Sequence, residues 1–357
     1  MLKKSLSFTL LFLFTIAVSA KRPKNVIFMI GDGMGMSHIY AAMVANGNSL
    51  ELERAPYMGY SKTYSADNFT TDSGAGGTAL ASGVKTKNGM IGMNPDSVAV
   101  ESIMYQSARN GKSTGLVVAS SVTDPTPATY VAHQVSRYMD EAIALDYLQA
   151  DLDVFIGGGR KFFDPSKRED GLNLIDSLDK RDFQIAYTMD ELRKIKAGKV
   201  AGLLFEQHPD PMPNRGNFLE EASLKAIDLL KKNKQGFFLM IEGSQIDWGA
   251  HDNDFEKVKN EMLDFDATIG KVLNFAKKDK QTLVIITSDH ETGGLTIPKG
   301  DMLDRTMKPK FSTGNHTGVP VPVFAFGPGA DQFIGFMENT AFKGKIEKLL
   351  KLKKLKK

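Results

Sequence analysis

The sequence predicts an α/β fold: a three-layer α/β/α sandwich around a mainly parallel central sheet. Two patterns carry that prediction. Six short runs, NVIFMIG (25–31), GLVVAS (115–120), DVFIGGG (153–159), FFLMIEG (237–243), TLVIITS (282–288) and VPVFAFG (321–327), are apolar on both alternations. Such runs suit strands buried on both faces. Between them lie helical patterns, of which EKVKNEMLDFDATIGKVLNFAKK (256–278) is the clearest, and strand alternating with helix calls for helices on both sides of one sheet. A chain of 357 residues that is 42% hydrophobic and 24% charged can bury the core such a fold needs. No linker divides it, so one domain with insertions is expected.

The elements follow in order. Residues 1–20, MLKKSLSFTLLFLFTIAVSA, have two lysines, an apolar run and Val18-Ser19-Ala20. This is the pattern of a secretory signal cleaved after Ala20, with an apolar run too short to span a membrane comfortably. Residues 70–83, TTDSGAGGTALASG, crowd small residues behind an acid and a serine. They read as a helix start capped by Asp72 or Ser73. Its glycines lower helix propensity and leave room either for a ligand such as phosphate at the helix N-terminus or for a tight packing contact. Residues 160–220 look looser, and HPDPMPNRGN (208–217) reads as a surface loop. The C-terminal segment 343–357, KGKIEKLLKLKKLKK, holds eight lysines and one glutamate. It reads as a terminal helix packing Ile346, Leu349 and Leu350 on the body, the other reading being attraction to an anionic envelope surface.

Charge and cysteine content narrow the chemistry. The formal charge is +3, but without Lys3, Lys4 and the tail, residues 21–342 sum to about −6. The basic character is therefore a tail and not a nucleic-acid groove. The chain contains no cysteine, which removes disulfides, thiolate metal sites and a cysteine nucleophile; any metal must be held by oxygen and imidazole.

Acids and histidines gather at the carboxyl ends of the expected strands, where open α/β sheets bind ligands. Asp32 follows the first strand, Asp124 and Thr126 the second, Glu242 closes FFLMIE with Asp247 and His251 beyond it, and Asp289 and His290 follow TLVIITS. Each alone has a plain structural reading: a turn for Asp32, a helix start for Asp289-His290, a surface ion pair for Arg137. Their coincidence is harder to dismiss. Of six histidines, His251, His290 and His316 lie in polar, glycine-bearing turns. Imidazole with carboxylate suits zinc, and the hard oxygens of Thr126 and Glu242 suit magnesium. His38, His133 and His208 read as structural or surface residues.

Seven motifs in order, NVIFMIGDGMG, TTDSGAGGTALASGVKT, TDPTPATYVAHQVSR, DVFIGGGRKFF, EGSQIDWGAH, SDHETGG and GNHTG, resemble the bacterial alkaline phosphatases across nearly the whole chain after residue 20. The resemblance implies an alkaline-phosphatase-like sandwich and hydrolysis of phosphate monoesters through a phosphoseryl intermediate on Ser73. It implies one zinc on Asp247, His251 and His316, a second on Asp32, Asp289 and His290, and a magnesium on Asp32, Thr126 and Glu242. Asp124 matches the acid that holds magnesium-bound waters, and Arg137 the arginine that grips substrate phosphate. Trp248 stands where enteric members carry a phosphate-holding lysine, which implies faster phosphate release. The short interval between His290 and His316 implies a small or absent crown insertion, and it puts the usual homodimer in question. The implied domains are a signal peptide (1–20), a catalytic domain (21–342) and the Lys-rich tail (343–357), in a protein exported to the periplasm or beyond. No nucleic-acid partner is expected, and the tail would make at most a weak envelope contact.

Overall fold

The computed structural model describes residues 22–301, 303 and 306–354; the expected signal at 1–20 and the last three residues of the tail lie outside these. The strands are β1 (Asn25–Gly31), β2 (Tyr57–Lys62), β3 (Ser113–Ser121), β4 (Val154–Gly158), β5 (Phe183–Ala186), β6 (Lys199–Leu203), β7 (Phe237–Gly243), β8 (Thr282–Thr287), β9 (Glu291–Thr292), β10 (Thr296–Asp301), β11 (Thr306–Lys310), β12 (His316–Thr317), β13 (Val321–Phe326) and β14 (Gly335–Glu338). Ten of them form one sheet in the order β14-β2-β13-β8-β1-β7-β3-β4-β6-β5. From β8 to β5 every pairing is parallel. β13 runs antiparallel to both β8 and β2, so VPVFAFG is a buried strand of the expected sheet but runs against its neighbours.

The two-sided burial has a direct cause. Along β1, Val26, Phe28 and Ile30 enter one hydrophobic core and Ile27 and Met29 the other. The second core is closed by the helix Phe255–Asp279 through Met262, Phe265, Ile269 and Val272, and by Leu219, Ala226 and Leu230 of the helix Phe218–Leu230. The first is closed by Leu80 of the helix Ser73–Ser82, Ile103 of Ile103–Arg109, Tyr130 of Pro125–Val131 and Ile346 of Ala341–Leu350. The C-terminal helix thus packs as the apolar spacing predicts, with Leu349 and Leu350 half-buried against the body.

One expectation needs correcting and another gains a detail. Residues 160–220 are not loose: they contain β5, β6 and the short helices Leu174–Asp179 and Met189–Lys194. Their strands are four and five residues long, too short and too mixed in polarity to stand out. HPDPMPNRGN is the expected surface loop, most of its residues being exposed, but it is anchored. Arg215, whose side chain is fully buried, holds Glu261 at 2.9 Å and Asp264 at 2.7 Å, and Met212 N–H donates to Glu261 at 2.8 Å. The loop is pinned to the long helix by a buried charge network. Removing one partner leaves the others buried and uncompensated. Arg215→Ala is expected to destabilise the fold by about 3–5 kcal/mol, read as a lowered denaturant midpoint; a loss below about 1 kcal/mol, the size of an exposed ion pair, would contradict it.

Candidate metal and nucleophile centre

The parallel strands deliver their polar ends to one place. After β1 the chain turns sharply: Gly33 adopts φ +69, and a Cβ there would stand 2.7 Å from Thr292 Oγ1 and 2.9 Å from Asp247 Oδ1. Only glycine fits that conformation in that space. The turn presents Asp32, while Gly33 N–H donates to Asp289 Oδ1 at 3.3 Å and Met34 N–H to Ser288 Oγ at 2.9 Å. Glu242 is the penultimate residue of β7, and the helix Gln245–His251 places Asp247 and His251 one turn apart. The antiparallel pair β9–β12 sets His316 opposite Thr292. The hairpin β10–β11 fills the interval between His290 and His316.

Two compact triads result. Ligand atoms of Asp247, His251 and His316, and of Asp32, Asp289 and His290, lie within 4.8 Å of one another in each group. The stacked rings of His290 and His316, 3.6 Å between centroids, join the two. Thr126 Oγ1 lies 3.4 Å from Asp32 and 3.5 Å from Asp289, and the charge of Asp124 acts on the ionisation of Glu242. Ser73 is the first residue of its helix, capped by Asp72 accepting from Ala75 N–H at 2.9 Å; its Oγ is 3.2 Å from His290 Nε2.

The small residues behind Ser73 serve chain packing. A Cβ on Gly74 would meet Met90 O at 2.9 Å, on Gly76 Asp289 O at 3.0 Å, and on Gly77 Thr129 Oγ1 at 2.8 Å. The clearance is filled by the Met90 carbonyl, by Thr129 of the neighbouring helix and by the backbone of a triad residue, which favours the packing alternative over a phosphate cradle. Close approach is what brings Ser73 to His290.

The imidazoles are oriented through their Nδ1 atoms. His251 Nδ1 lies 2.7 Å from Gly314 O and His316 Nδ1 2.9 Å from Thr71 O. Carbonyls only accept, so both Nδ1 atoms carry protons. Thr292 Oγ1 donates its one proton to Asp247 Oδ1 and lies 3.2 Å from His290 Nδ1. It can only accept from that ring, so His290 is also protonated at Nδ1. In the neutral rings, all three Nε2 lone pairs therefore face the centre. They meet acceptors there: His290 Nε2 is 3.4 Å from Asp32 Oδ1 and 3.2 Å from Asp289 Oδ2, and His251 Nε2 is 3.0 Å from His316 Nε2. Asp32 Oδ1 is buried without a hydrogen-bond partner. Lone pairs facing carboxylates, with the far nitrogen tied to protein oxygen, suit divalent cations, so the residues fit the metals their types imply.

Ionisation follows the same crowding. Burial and then Asp289 push Asp32 far up. Burial and Asp247 raise Asp289 to about 7, and burial raises Asp124 to about 7 against the pull of Arg137. Glu242 is driven up by burial and Asp124. Burial also pushes Asp247 upward, but the hydrogen bond to His251 and the histidine charges outweigh it and hold Asp247 low. The bond to Asp247 raises His251 to about 9, while burial takes His290 far down.

Arg137 donates to Asp72 Oδ2 at 3.0 Å, and the same oxygen accepts from Gly89 N–H at 2.9 Å. Asp72 thus caps the Ser73 helix and holds the arginine beside it. Its capping role is legible in the sequence, its hold on Arg137 is not. Thr292 was also missed: a threonine after Asp-His-Glu carries no signal until its two partners are seen. Of the remaining histidines, His38 is buried and accepts from Gly35 N–H, His133 bonds Gly92 O, and His208 accepts from Ser121 N–H.

The model of the alkaline phosphatase family matches residues 23–305. Alkaline phosphatase 4 of Bacillus subtilis (strain 168) is 34% identical, the alignment covering 92% of this chain and 89% of that protein. The solved structure of alkaline phosphatase from the Antarctic bacterium TAB5 aligns with a TM-score of 0.89 at 41% identity, covering 94% of this chain and 100% of that one. A histidine-to-aspartate mutant of the TAB5 enzyme, described with Mg bound in its M3 site, aligns with the same values of 0.89 and 41% over the same shares, 94% and 100%.

The crowded carboxyls make a pH prediction for the metal-free protein. Asp124 and Asp289, at about 7 when folded, titrate near 4 when unfolded. The folded state binds more protons in between, so stability falls as pH rises through 7. His251, at about 9 when folded, stabilises fully below about 6.5 and loses that contribution as pH rises through 9. The histidines that burial pushes down act below about 6.5. With chelator present, the urea midpoint is therefore expected to fall between pH 6.5 and 8, and divalent cations should restore it most at pH 8. A flat or rising midpoint would refute the reading.

Proposed function

The chain belongs to the alkaline phosphatase family, and from that premise we propose that it hydrolyses phosphate monoesters through a phosphoseryl intermediate on Ser73, assisted by two zinc ions and one magnesium ion. Asp247, His251 and His316 would hold one zinc, Asp32, Asp289 and His290 the other, and Asp32, Thr126 and Glu242 the magnesium, with Asp124 holding its waters. The hard oxygens of Thr126 and Glu242, with Asp124 near them, support magnesium there. When bound, these cations supply Lewis acidity to the attacking and leaving oxygens. The observation that carries the reading is Ser73 Oγ, 3.2 Å from His290 Nε2, at the joint between a helix N-terminus and a buried triad.

The chain's own groups have definite parts. Ser73 Oγ attacks phosphorus as its proton passes to solvent water, the bond to the alcohol oxygen breaks, and the departing oxygen takes a proton from water. Water then attacks the phosphoseryl group from the vacated side and Ser73 recovers its hydroxyl. Two inversions give net retention at phosphorus. The N–H groups of the first helical turn favour the added negative charge. Arg137, held by Asp72, offers a planar fork to two phosphate oxygens. The catalytic unit would be residues 21–342, exported after loss of 1–20.

Ser73→Ala is expected to remove most aryl phosphate turnover while leaving bound metal, measured by elemental analysis, largely unchanged; retained turnover would reject the nucleophile. The natural protein should cleave a monoester in strong preference to a diester or sulfate ester. Trp248 packs edge-on against His208, 4.7 Å between centroids, and offers no cation to product phosphate. Trp248→Lys should therefore lower the inhibition constant for inorganic phosphate, and tighter inhibition of the natural protein would contradict this.

A further inference from the structure

The carboxyl ends of the strands gather acids; the opposite ends gather lysines. The turns entering β1, β3, β7 and β8 lie side by side, since Asn25 is level with Thr282 and Ser113 with Phe237. Lys24 N–H donates to Gln281 O at 2.8 Å, and Lys112 Nζ donates to Lys24 O and Gln235 O at 2.8 Å each. The end of the chain joins them: Lys353 O accepts from Arg109 at 3.3 Å and Asn110 at 3.2 Å, and Lys353 N–H donates to Asn110 Oδ1 at 2.8 Å. Together, residues 22–24, 112, 231–234, 277–280 and 351–354 hold eleven lysines and Arg22, against Asp279 among them and three acids beside them: Asp228 pairs with Lys231, Glu347 pairs with Lys354 at 3.6 Å, and Asp153 accepts from Thr114 N–H at the start of β3. Asp279 is already engaged by Asn25 and Thr282. Nine of those lysines are exposed. Among the described residues, the side chains of Lys234, Lys277, Lys278 and Lys280 have no ionic partner.

The character of this face narrows its partner. Its segments contain no aromatic residue, so base stacking, which single-stranded nucleic acid binding uses, is missing. Lysine dominates over arginine, giving point charges in place of the planar forks that read phosphates bidentately. Apolar residues of the tail stay with the body: Leu349, Leu350 and Leu352 pack on the core. Among the described residues no helix is long and apolar enough to cross a membrane. What remains is a broad array of mobile cations, suited to a diffuse layer of negative charge.

We propose that this lysine face docks the protein on an anionic phospholipid surface. β1 spans the sheet from this face to Asp32, seven residues or roughly 20 Å, so docking turns the Ser73 cluster away from the lipid and toward dissolved substrate. The attraction is worth roughly fivefold in affinity per lysine near the surface and is screened by salt. The test is sedimentation of purified residues 21–357 with vesicles of phosphatidylglycerol and phosphatidylcholine in equal parts. Binding is expected at low salt, with release at high salt and none to phosphatidylcholine alone. A Lys234→Gln, Lys277→Gln, Lys278→Gln variant should bind about 100-fold more weakly with aryl phosphate turnover in solution unchanged. Should the variant misfold, the salt and lipid dependence of the natural protein decides alone. Failure to bind anionic vesicles, binding insensitive to salt, equal binding to neutral vesicles, variant binding at full strength, or preference for duplex DNA over vesicles of matched charge would each overturn the proposal.

Discussion

Everything in this molecule answers one electrostatic problem: how to hold Asp32, Asp124, Glu242, Asp247 and Asp289 together in a buried pocket. Burial disfavours each charge and proximity compounds it, and the upward pressure on Asp32 and Glu242 is the signature. Side chains on flexible loops would relax apart. Here Asp32, Glu242 and Asp289 sit at the ends of three adjacent parallel strands, β1, β7 and β8, whose register is locked along their length, with hydrophobic cores on both faces. The frame holds a repulsion that bound cations would relieve, so on the proposed function the apolar β-strands would belong to the metal chemistry as much as the ligands do.

The two triads are not independent clusters. Thr292 donates to Asp247 of one and accepts from His290 of the other. That single hydroxyl sets the tautomer of His290 and fixes the rotation of Asp247. A second tie runs through Ser73: its helix packs against the Asp289 backbone at Gly76, so the Ser73 hydroxyl is placed by the same strand end that supplies Asp289 and His290. Asp72 then ties Arg137 to that helix. Ser73, the two triads and Arg137 therefore share one rigid body, and the proposed chemistry would need no rearrangement of them when charge develops.

Much of this was legible in the residues and part was not, for physical reasons. β1, β7 and β8 stood out because both faces are buried and the apolar run is unbroken. β2, with four of its six positions not buried, and β14, four residues long and glycine-led, lack that signature and are held by their neighbours. The direction of β13 had no local cue, since an apolar run looks the same either way along the sheet. The strand-end acids could be collected from sequence because chain order puts each just after its strand. The convergence of His316 depends on a two-residue strand, β12, pairing with β9, which no periodicity can show. Thr292 and the second role of Asp72 are properties of pairs distant in sequence, and single positions do not carry them.

Net charge is a poor guide to such a molecule. Residues 21–357 sum to +1 by formal count, as if electrostatics were idle. The chain instead spends its charge in opposition, carboxylates at one end of the strands and lysines at the other. The polarity has a structural cause as well as a use. In a parallel sheet all strand starts share one end, and each helix ends just before the next strand begins. Lysines in the last turn of the helix Phe255–Asp279, Lys277 and Lys278, therefore complement the helix dipole while also collecting at that end. The carboxylates collect at the other by the same topology. An α/β fold that collects acids at the ends of its strands thus tends toward a charge axis along them, and the lysine tail, folded back to Asn110, extends that axis where it could have cancelled it.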